Sequence, residues 1–257
     1  MLKFLKKPCL PENRVASVLI SAKYEKFIKI LSDIFNIDSF PIVDNEMLTE
    51  DISSHADCIF TQIDDKAAII DKNCYSPIVN YLTSKNLNKA IKFFETTQPV
   101  KSPYPDDIRL NVRIVSNKIY CNSKHIDENL HNYALCNDMD IIHCNQGYAA
   151  CSTIILNDNA MITDDESILN SAQLNGIDCI YVRKGSVKLL GREYGFIGGT
   201  CGMIDKNLIA FTGKLDSHID SNIIKSFLHK NNVNYIELTD DALVDIGGII
   251  PILEQCP

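Results

Sequence analysis

Cys136, His143, Cys144 and Cys151 fall within sixteen residues of one another, and cysteine with histidine is a donor set that zinc takes. Their spacing argues against a site. The group contains no Cys-x-x-Cys knuckle, and His143 and Cys144, adjacent in a strand-like stretch, point to opposite faces. We therefore expect no metal and no cofactor. Gly198-Gly199-Thr200-Cys201-Gly202 has the look of a phosphate loop but lacks the lysine and the dinucleotide spacing of one, so close backbone packing is the expectation. Cys201 is flanked there by glycines, which let backbone or ligand approach closely. Cys201 and Cys151 suit the role of small core residues, since cysteine is among the most buried types. A reactive thiol needs a cationic neighbour or a helix N-terminus, and the sequence places none beside either.

The elements that position such residues belong to an ordinary globular chain. Of 257 residues, 46% are hydrophobic and 23% charged, enough apolar material for a sizeable core. Lys and Arg number 25 against 33 Asp and Glu, and the net charge of −8 repels phosphate backbones and anionic lipid. Nucleic acid and membrane are therefore not expected as partners. No apolar run has the length of a membrane span, and the lysines of the first residues are not followed by a secretory core. Ten cysteines scattered through a full-sized chain read as reduced thiols. The expected location is the cytoplasm; no feature assigns an oligomeric state.

A repeat organises the chain. Gly147 to Ile162 aligns without gaps on Gly195 to Ala210, 48 positions later, each reading as Gly-aromatic, strand, Asn-containing turn and strand. A helix-like stretch and another strand follow both: Glu166 to Leu174 then Asp178 to Val182, and Ile219 to Lys230 then Asn234 to Leu238. The unit is ββαβ, with Ile223, Ile224, Phe227 and Leu228 on one helical face. Upstream, Leu110 to Val115, Lys118 to Cys121, Asp127 to Ala134 and Asp140 to His143 make a third copy. Ala56 to Gln62, Ala67 to Ile70, Pro77 to Ser84 and Lys89 to Phe94 make a fourth. Val15 to Ser21, Tyr24 to Phe35 and Ser39 to Val43 supply a strand, a helix and a strand. The C-terminal run Ala242 to Ile252 completes that first unit and closes a ring, which removes exposed edges. We expect a single domain over 1–257, with units at about 8–50 plus 242–254, 51–96, 107–144, 145–184 and 193–240.

Five ββαβ units in a ring resemble the pentein architecture, an α/β fold that forms a five-fold pseudo-symmetric β/α-propeller, shared by dimethylarginine hydrolases, arginine and agmatine deiminases, amidinotransferases and a non-enzymatic ribosome anti-association factor. Asp57-Cys58-Ile59-Phe60 is similar to the early acidic segment of the dimethylarginine hydrolases. Ile142-His143, followed by Ala149 to Ile154, is similar to their segment with the catalytic His, and Leu243 to Ile249 to the stretch before their cysteine. Gln146 to Ala149, Gly198 to Gly202 and Asp245 to Pro251 also resemble a bacterial family with this fold and no assigned activity.

In those hydrolases a thiolate attacks the guanidino carbon, a His moves protons and carboxylates grip the planar cation. The resemblance assigns the His role to His143, whose other reading is a solvated strand-end residue. It places Ile250 or Pro251 where the thiol belongs, and proline cannot attack. Cys256, five positions on, stands roughly 16 Å away along extended chain, so a relocated thiol would be Cys201 or Cys151, at first-strand positions that line the pseudo-five-fold axis. Thr61-Gln62-Ile63 replaces the expected acidic clamp, leaving Gln62 as a neutral amide. Asn111, Thr153 and Cys201 at equivalent positions, with Asp245, give a polar axial lining suited to hydrogen-bonded recognition. Two functions follow: binding of a small polar ligand, guanidino-like by the resemblance, without cysteine chemistry, or guanidino hydrolysis or transfer through His143 and a relocated cysteine such as Cys201. A ring acting through surface contacts is a third class that no surface feature favours.

Overall fold

The computed structural model describes residues 1–85 and 91–256. Lys89 and Ala90 of the predicted strand Lys89 to Phe94 lie outside the described residues. In chain order the elements are β1 (Leu2–Phe4), β2 (Val15–Ser21), α1 (Glu25–Phe35), β3 (Asp38–Ile42), the single turn α2 (Ala56–Ile59), β4 (Phe60–Gln62), β5 (Ala67–Ile70), α3 (Tyr75–Ser84) and β6 (Lys92–Glu95). Then come β7 (Arg113–Val115), β8 (Lys118–Cys121), α4 (Glu128–Cys136), β9 (Asp140–His143), β10 (Thr153–Asn157), β11 (Ala160–Thr163), α5 (Glu166–Leu174) and β12 (Asp178–Tyr181). The last are β13 (Cys201–Asp205), β14 (Leu208–Phe211), α6 (Ser221–Lys230), β15 (Asn234–Glu237) and β16 (Ile250–Gln255).

Five separate small sheets result, with orders β4-β5-β6, β7-β8-β9, β10-β11-β12, β13-β14-β15 and β1-β16-β2-β3. In each of the first four, an antiparallel hairpin is followed by a helix and a third strand parallel to the second. The fifth obtains its hairpin from the two ends of the chain: β16 runs antiparallel to β2, and β3 runs parallel to β2 after α1. This is the pentein fold, a five-fold pseudo-symmetric β/α-propeller. Among the described residues no helix is long and apolar enough to cross a membrane.

Local chemistry accounts for the elements. Asp127 caps α4 by accepting from the Asn129 amide, and Asp165 caps α5 by accepting from Ser167 and Ile168, each satisfying amides that a helix start leaves orphaned. Helix α1 stops at Asn36, which takes the left-handed conformation at its end. Apolar helix faces and both strands of the hairpins then meet in shared cores, for example Ile69, Ile78, Leu82, Ile119 and Leu130 in one cluster.

The predicted inner strands begin too early. Residues 56–59 form a helical turn, Ile197–Thr200 a 3-10 turn, and β7, β10 and β16 start only at Arg113, Thr153 and Ile250. The apolar runs that read as strand are there because these turns are buried, and a buried turn and a buried strand look alike in a short apolar run. Each inner strand is thus preceded by a buried, non-extended segment.

Because β16 supplies the antiparallel partner of β2, a chain ending at residue 249 leaves β2 and its neighbours with an open edge. We expect that truncation to lose the cooperative thermal transition of the full chain, measured by circular dichroism; a transition within a few degrees of the full chain's would show that closure contributes little.

Candidate functional site

The five segments that precede the inner strands are tied to one another in a closed circuit of hydrogen bonds. The Asp57 amide donates to the Gly247 carbonyl at 3.2 Å, and Ile246 and Gly248 donate to the Gly199 carbonyl at 2.9 and 3.0 Å. Gly199 in turn donates to the Cys151 carbonyl at 3.1 Å. The Asn111 carboxamide oxygen accepts from Ala150 at 2.7 Å and Cys151 at 3.2 Å, and its nitrogen donates to the Asp57 carbonyl at 3.3 Å. All five repeats therefore meet in one ring around the pseudo-five-fold axis.

Inside the ring stand His55, Asp57, Cys58, Cys151 and Asp245, all buried. One donor atom from each of His55, Asp57, Cys58 and Cys151 lies within 4.8 Å of the others. His55 Nδ1 stands 3.8 Å from Asp245 Oδ1. Neither ring nitrogen of His55 and neither carboxylate oxygen of Asp57 has a hydrogen-bond partner, a costly arrangement for groups 2% exposed. Asp245 is better served, accepting from the Phe196 amide at 2.9 Å and the Gly247 amide at 3.0 Å.

Two glycines make room for this centre. A Cβ on Gly199 would fall 1.8 Å from Asp245 Oδ1, and one on Gly247, whose φ is +73°, would fall 2.4 Å from His55 Cα. Burial sets the charges. It pushes the Cys151 thiol well above its ordinary 9.0 and raises Asp245, whose shift the nearby His55 opposes. At Cys58 the hydrogen bond with Cys151 pulls the pKa down, but burial and Asp57 outweigh it and the net shift is upward.

Above the ring opens a cavity of about 270 Å³, with His55, Cys151 and Asp245 at its floor. Tyr148 and Phe196 form one wall, stacked with ring centroids 5.9 Å apart, and Tyr148 donates its hydroxyl proton to Asp107 at 2.6 Å. Asp51, Arg192 and Glu193 edge the cavity, Arg192 donating to Asp51 at 2.6 Å. The opposite end of the axis is closed: Pro8, Cys9 and Arg113 fill it, leaving cavities of about 30 and 20 Å³. Arg113 is held there by the Thr153 carbonyl at 2.9 Å.

Of the residues singled out in the sequence, the structure brings Asn111, Cys151 and Asp245 to this centre. It does not bring His143 there. His143 is exposed on β9, the third strand of its sheet, with Nδ1 at 2.9 Å from the Ser123 hydroxyl. Cys201 sits beside the 20 Å³ cavity at the closed end, and burial pushes its thiol up to about 12. Gln62 donates to the carbonyls of Leu5 and Asp64 at 2.6 and 2.9 Å, tethering the N-terminal segment, while Thr153 is buried against Thr163. Cys256 lies beyond β16 with its amide on the Met1 carbonyl. The spacing argument against a metal covers residues 136–151; the fold gathers a different set, His55, Asp57 and Cys58 with Cys151. His55 lies two residues before the Asp57-Cys58-Ile59-Phe60 segment, and that adjacency is the sequence signal that points to it.

A model described as a family of unknown function (DUF6873) matches residues 19–250. The chain belongs to that family. No curated protein matches it by sequence. Among solved structures, this DUF6873 member is similar to C. jejuni agmatine deiminase at 11% identity and a TM-score of 0.55, covering 96% of this chain and 95% of that one. It is also similar to Pseudomonas aeruginosa DDAH, a dimethylarginine hydrolase, complexed with citrulline (8% identity, TM-score 0.56, covering 95% of this chain and 100% of that one). The inosamine-phosphate amidinotransferase of Streptomyces griseus is a third, at 9% identity, TM-score 0.56, and coverage of 99% and 98%. At these identities the likeness establishes the pentein fold.

Two measurements check the site's construction. Gly199→Ala forces Asp245 aside, and we expect a loss of roughly 1–3 kcal/mol by denaturant unfolding, the usual cost of overpacking; a neutral result would mean that the ring yields freely there. Asp164, whose carboxylate accepts from the Ile197 amide at 2.9 Å, is raised by burial from 3.8 to about 7. The folded state then keeps a proton that the unfolded chain releases, so this contribution is full below about pH 4 and is lost as pH rises through 7. Between those limits the wild type should lose stability relative to Asp164→Asn, by up to about 1.4 kcal/mol per pH unit; parallel profiles would refute the assignment.

Proposed function

We propose that the cavity above the ring binds a small planar cation, a guanidino or amidino compound, without attack by a cysteine thiolate. Asp245 carries the reading: a buried carboxylate at the floor of an open cavity, raised in pKa by burial, gains most from a cationic partner that brings its own hydrogen-bond donors. Asp51 and Glu193 add negative charge at the edge against the single Arg192. The stacked Tyr148 and Phe196 offer aromatic faces for a flat cation. Several fold neighbours are named for agmatine or dimethylarginine, and one is complexed with citrulline, all guanidino or ureido compounds. The raised Cys151 thiol supports binding over nucleophilic attack. We further propose that the five units act as one domain and that the protein works in the cytoplasm, where a cysteine-rich chain stays reduced.

A second reading is favoured by the meeting of Cys151 and His55 in one cluster: a bound cation would lower the thiol pKa, and His55 would carry the proton of a guanidino hydrolase or transferase.

Thermal-shift and calorimetric titration with agmatine, arginine, dimethylarginine and simple amidines separates these. A ligand at a hundredfold excess over its Kd should add about 2.7 kcal/mol, roughly 5–10 °C in Tm for a chain of this size. Asp245→Asn should abolish the shift while keeping a cooperative transition. No shift with any member of the class would overturn the binding reading. Release of urea or citrulline that disappears in Cys151→Ala would place the second reading first.

A further inference from the structure

We propose that His55, Asp57, Cys58 and Cys151 form a binding site for a single divalent ion of the zinc class, set beneath the cavity at the centre of the ring. The site goes beyond the ligand-binding reading and does not rest on it.

Four observations converge. The donor set is one imidazole, one carboxylate and two sulfurs, drawn from a turn at residues 55–58 and from the segment before β10, with donor atoms all within 4.8 Å. A tetrahedral zinc ion, with bonds of about 2.3 Å to sulfur and about 2.0 Å to nitrogen, needs donors roughly 3.3–3.8 Å apart, a contraction that side-chain torsions supply. His55 and Asp57 are each 2% exposed and carry four nitrogen and oxygen atoms with no hydrogen-bond partner; an ion gives these buried groups the partner that the protein withholds.

The surroundings are those of a metal centre. Asn111 Nδ2 lies 3.1 Å from the Cys151 sulfur and 3.5 Å from the Cys58 sulfur, as well as 3.3 Å from the Asp57 carbonyl. Its orientation is fixed by the two amides on its oxygen. An amide nitrogen aimed at two sulfurs is a poor use of donors for neutral thiols and a good one for metal-bound thiolates. Asp245 Oδ1 stands 3.8 Å from His55 Nδ1, placed to become the carboxylate partner of a metal-bound imidazole after a small ring movement.

Binding is a proton exchange. Each thiol loses its proton on forming a sulfur–metal bond, so one ion displaces two protons to solvent, and no redox change occurs. Two thiolates and one carboxylate against a dication leave the centre at −1, so the floor of the cavity stays attractive to a cationic ligand.

The test uses the full chain. Metal content of the purified protein is measured by mass spectrometry; stripped protein is then titrated with Zn2+ against a chromophoric chelator and separately with Co2+. One equivalent per chain is expected, with a sulfur-to-cobalt charge-transfer band. Cys58→Ser and Cys151→Ser should each remove about half of that band, Cys136→Ser, at an exposed cysteine, none of it, and Asn111→Ala should weaken Zn2+ by about 10- to 100-fold. Should Asn111→Ala fail to fold, the wild-type cobalt spectrum still decides. Absence of a charge-transfer band in the wild type, a band that persists unchanged in both serine variants, or a Cys58–Cys151 disulfide found in the intact mass would each overturn the proposal. Because no organic ligand is added, failure of guanidino binding leaves this result unaffected.

Discussion

The closed circuit of hydrogen bonds linking Asp57, Gly247, Gly199, Cys151 and Asn111 is the constraint on which the rest of the structure depends. Each small sheet satisfies its own strands, but nothing in a three-stranded sheet says where its neighbour must stand. The circuit does. It joins the segment before each inner strand to the next, so an error in one unit propagates to all five. Within the circuit four of the five segments act through main-chain groups, and the segment before β7 acts through the Asn111 side chain. Asn111 can do so because a carboxamide offers an acceptor to two amides and a donor to a carbonyl at once. An aspartate would lack the donor, and an apolar residue would leave the Ala150 and Cys151 amides buried without partners, at a cost of about 1–3 kcal/mol each.

A ring made of backbone leaves its interior to side chains, and the interior here is polar, acidic and buried. That combination sets the chemistry available without a bound partner. Burial raises Asp245 and Cys151, so both resist ionisation where they stand. A thiol in that state is a weak nucleophile. A charge entering from outside, an organic cation or a metal ion, reverses the balance by giving the ionised forms something to face. The centre is therefore built to respond to what it binds.

The fold was legible in the sequence because a five-fold repeat carries its own redundancy. The match of Gly147–Ile162 with Gly195–Ala210 established the unit, and hydrophobic period then located the helices to within a few residues. The centre was less legible for a specific reason. Residues 56–62, and the stretches that follow Tyr148 and Phe196, read as strand from their start, and that pattern points along each strand toward Gln62, Thr153 and Cys201. These lie toward the end of the axis that Pro8, Cys9 and Arg113 fill. The functional-looking groups lie just before the strands, in turns whose conformation no propensity announces. Asn111 is legible as the repeat equivalent of Thr153 and Cys201, and Asp245 as a carboxylate near the axis. His55 and Cys58 meet Cys151 only through the ring, a contact between positions nearly a hundred residues apart.

The two ends of the axis differ in what they leave open. At the closed end the first-strand side chains pack against the N-terminal segment, and a thiol there, such as Cys201, is sealed from any substrate. At the open end the residues must be small wherever they face the centre, because Asp245 and His55 occupy the space: Gly199 leaves room for the one and Gly247 for the other. Gly247 and Gly248 stand in the stretch that, by resemblance, precedes a nucleophilic cysteine in the guanidino hydrolases. Both take positive φ, at +73° and +78°, which a cysteine adopts only under strain. The residues that follow, Ile249, Ile250 and Pro251, carry no sulfur, so the sulfurs at the centre come from other repeats. They are Cys58 and Cys151, each from the segment preceding its own inner strand. The glycines before β16 thus admit the imidazole and carboxylate that stand beside these sulfurs.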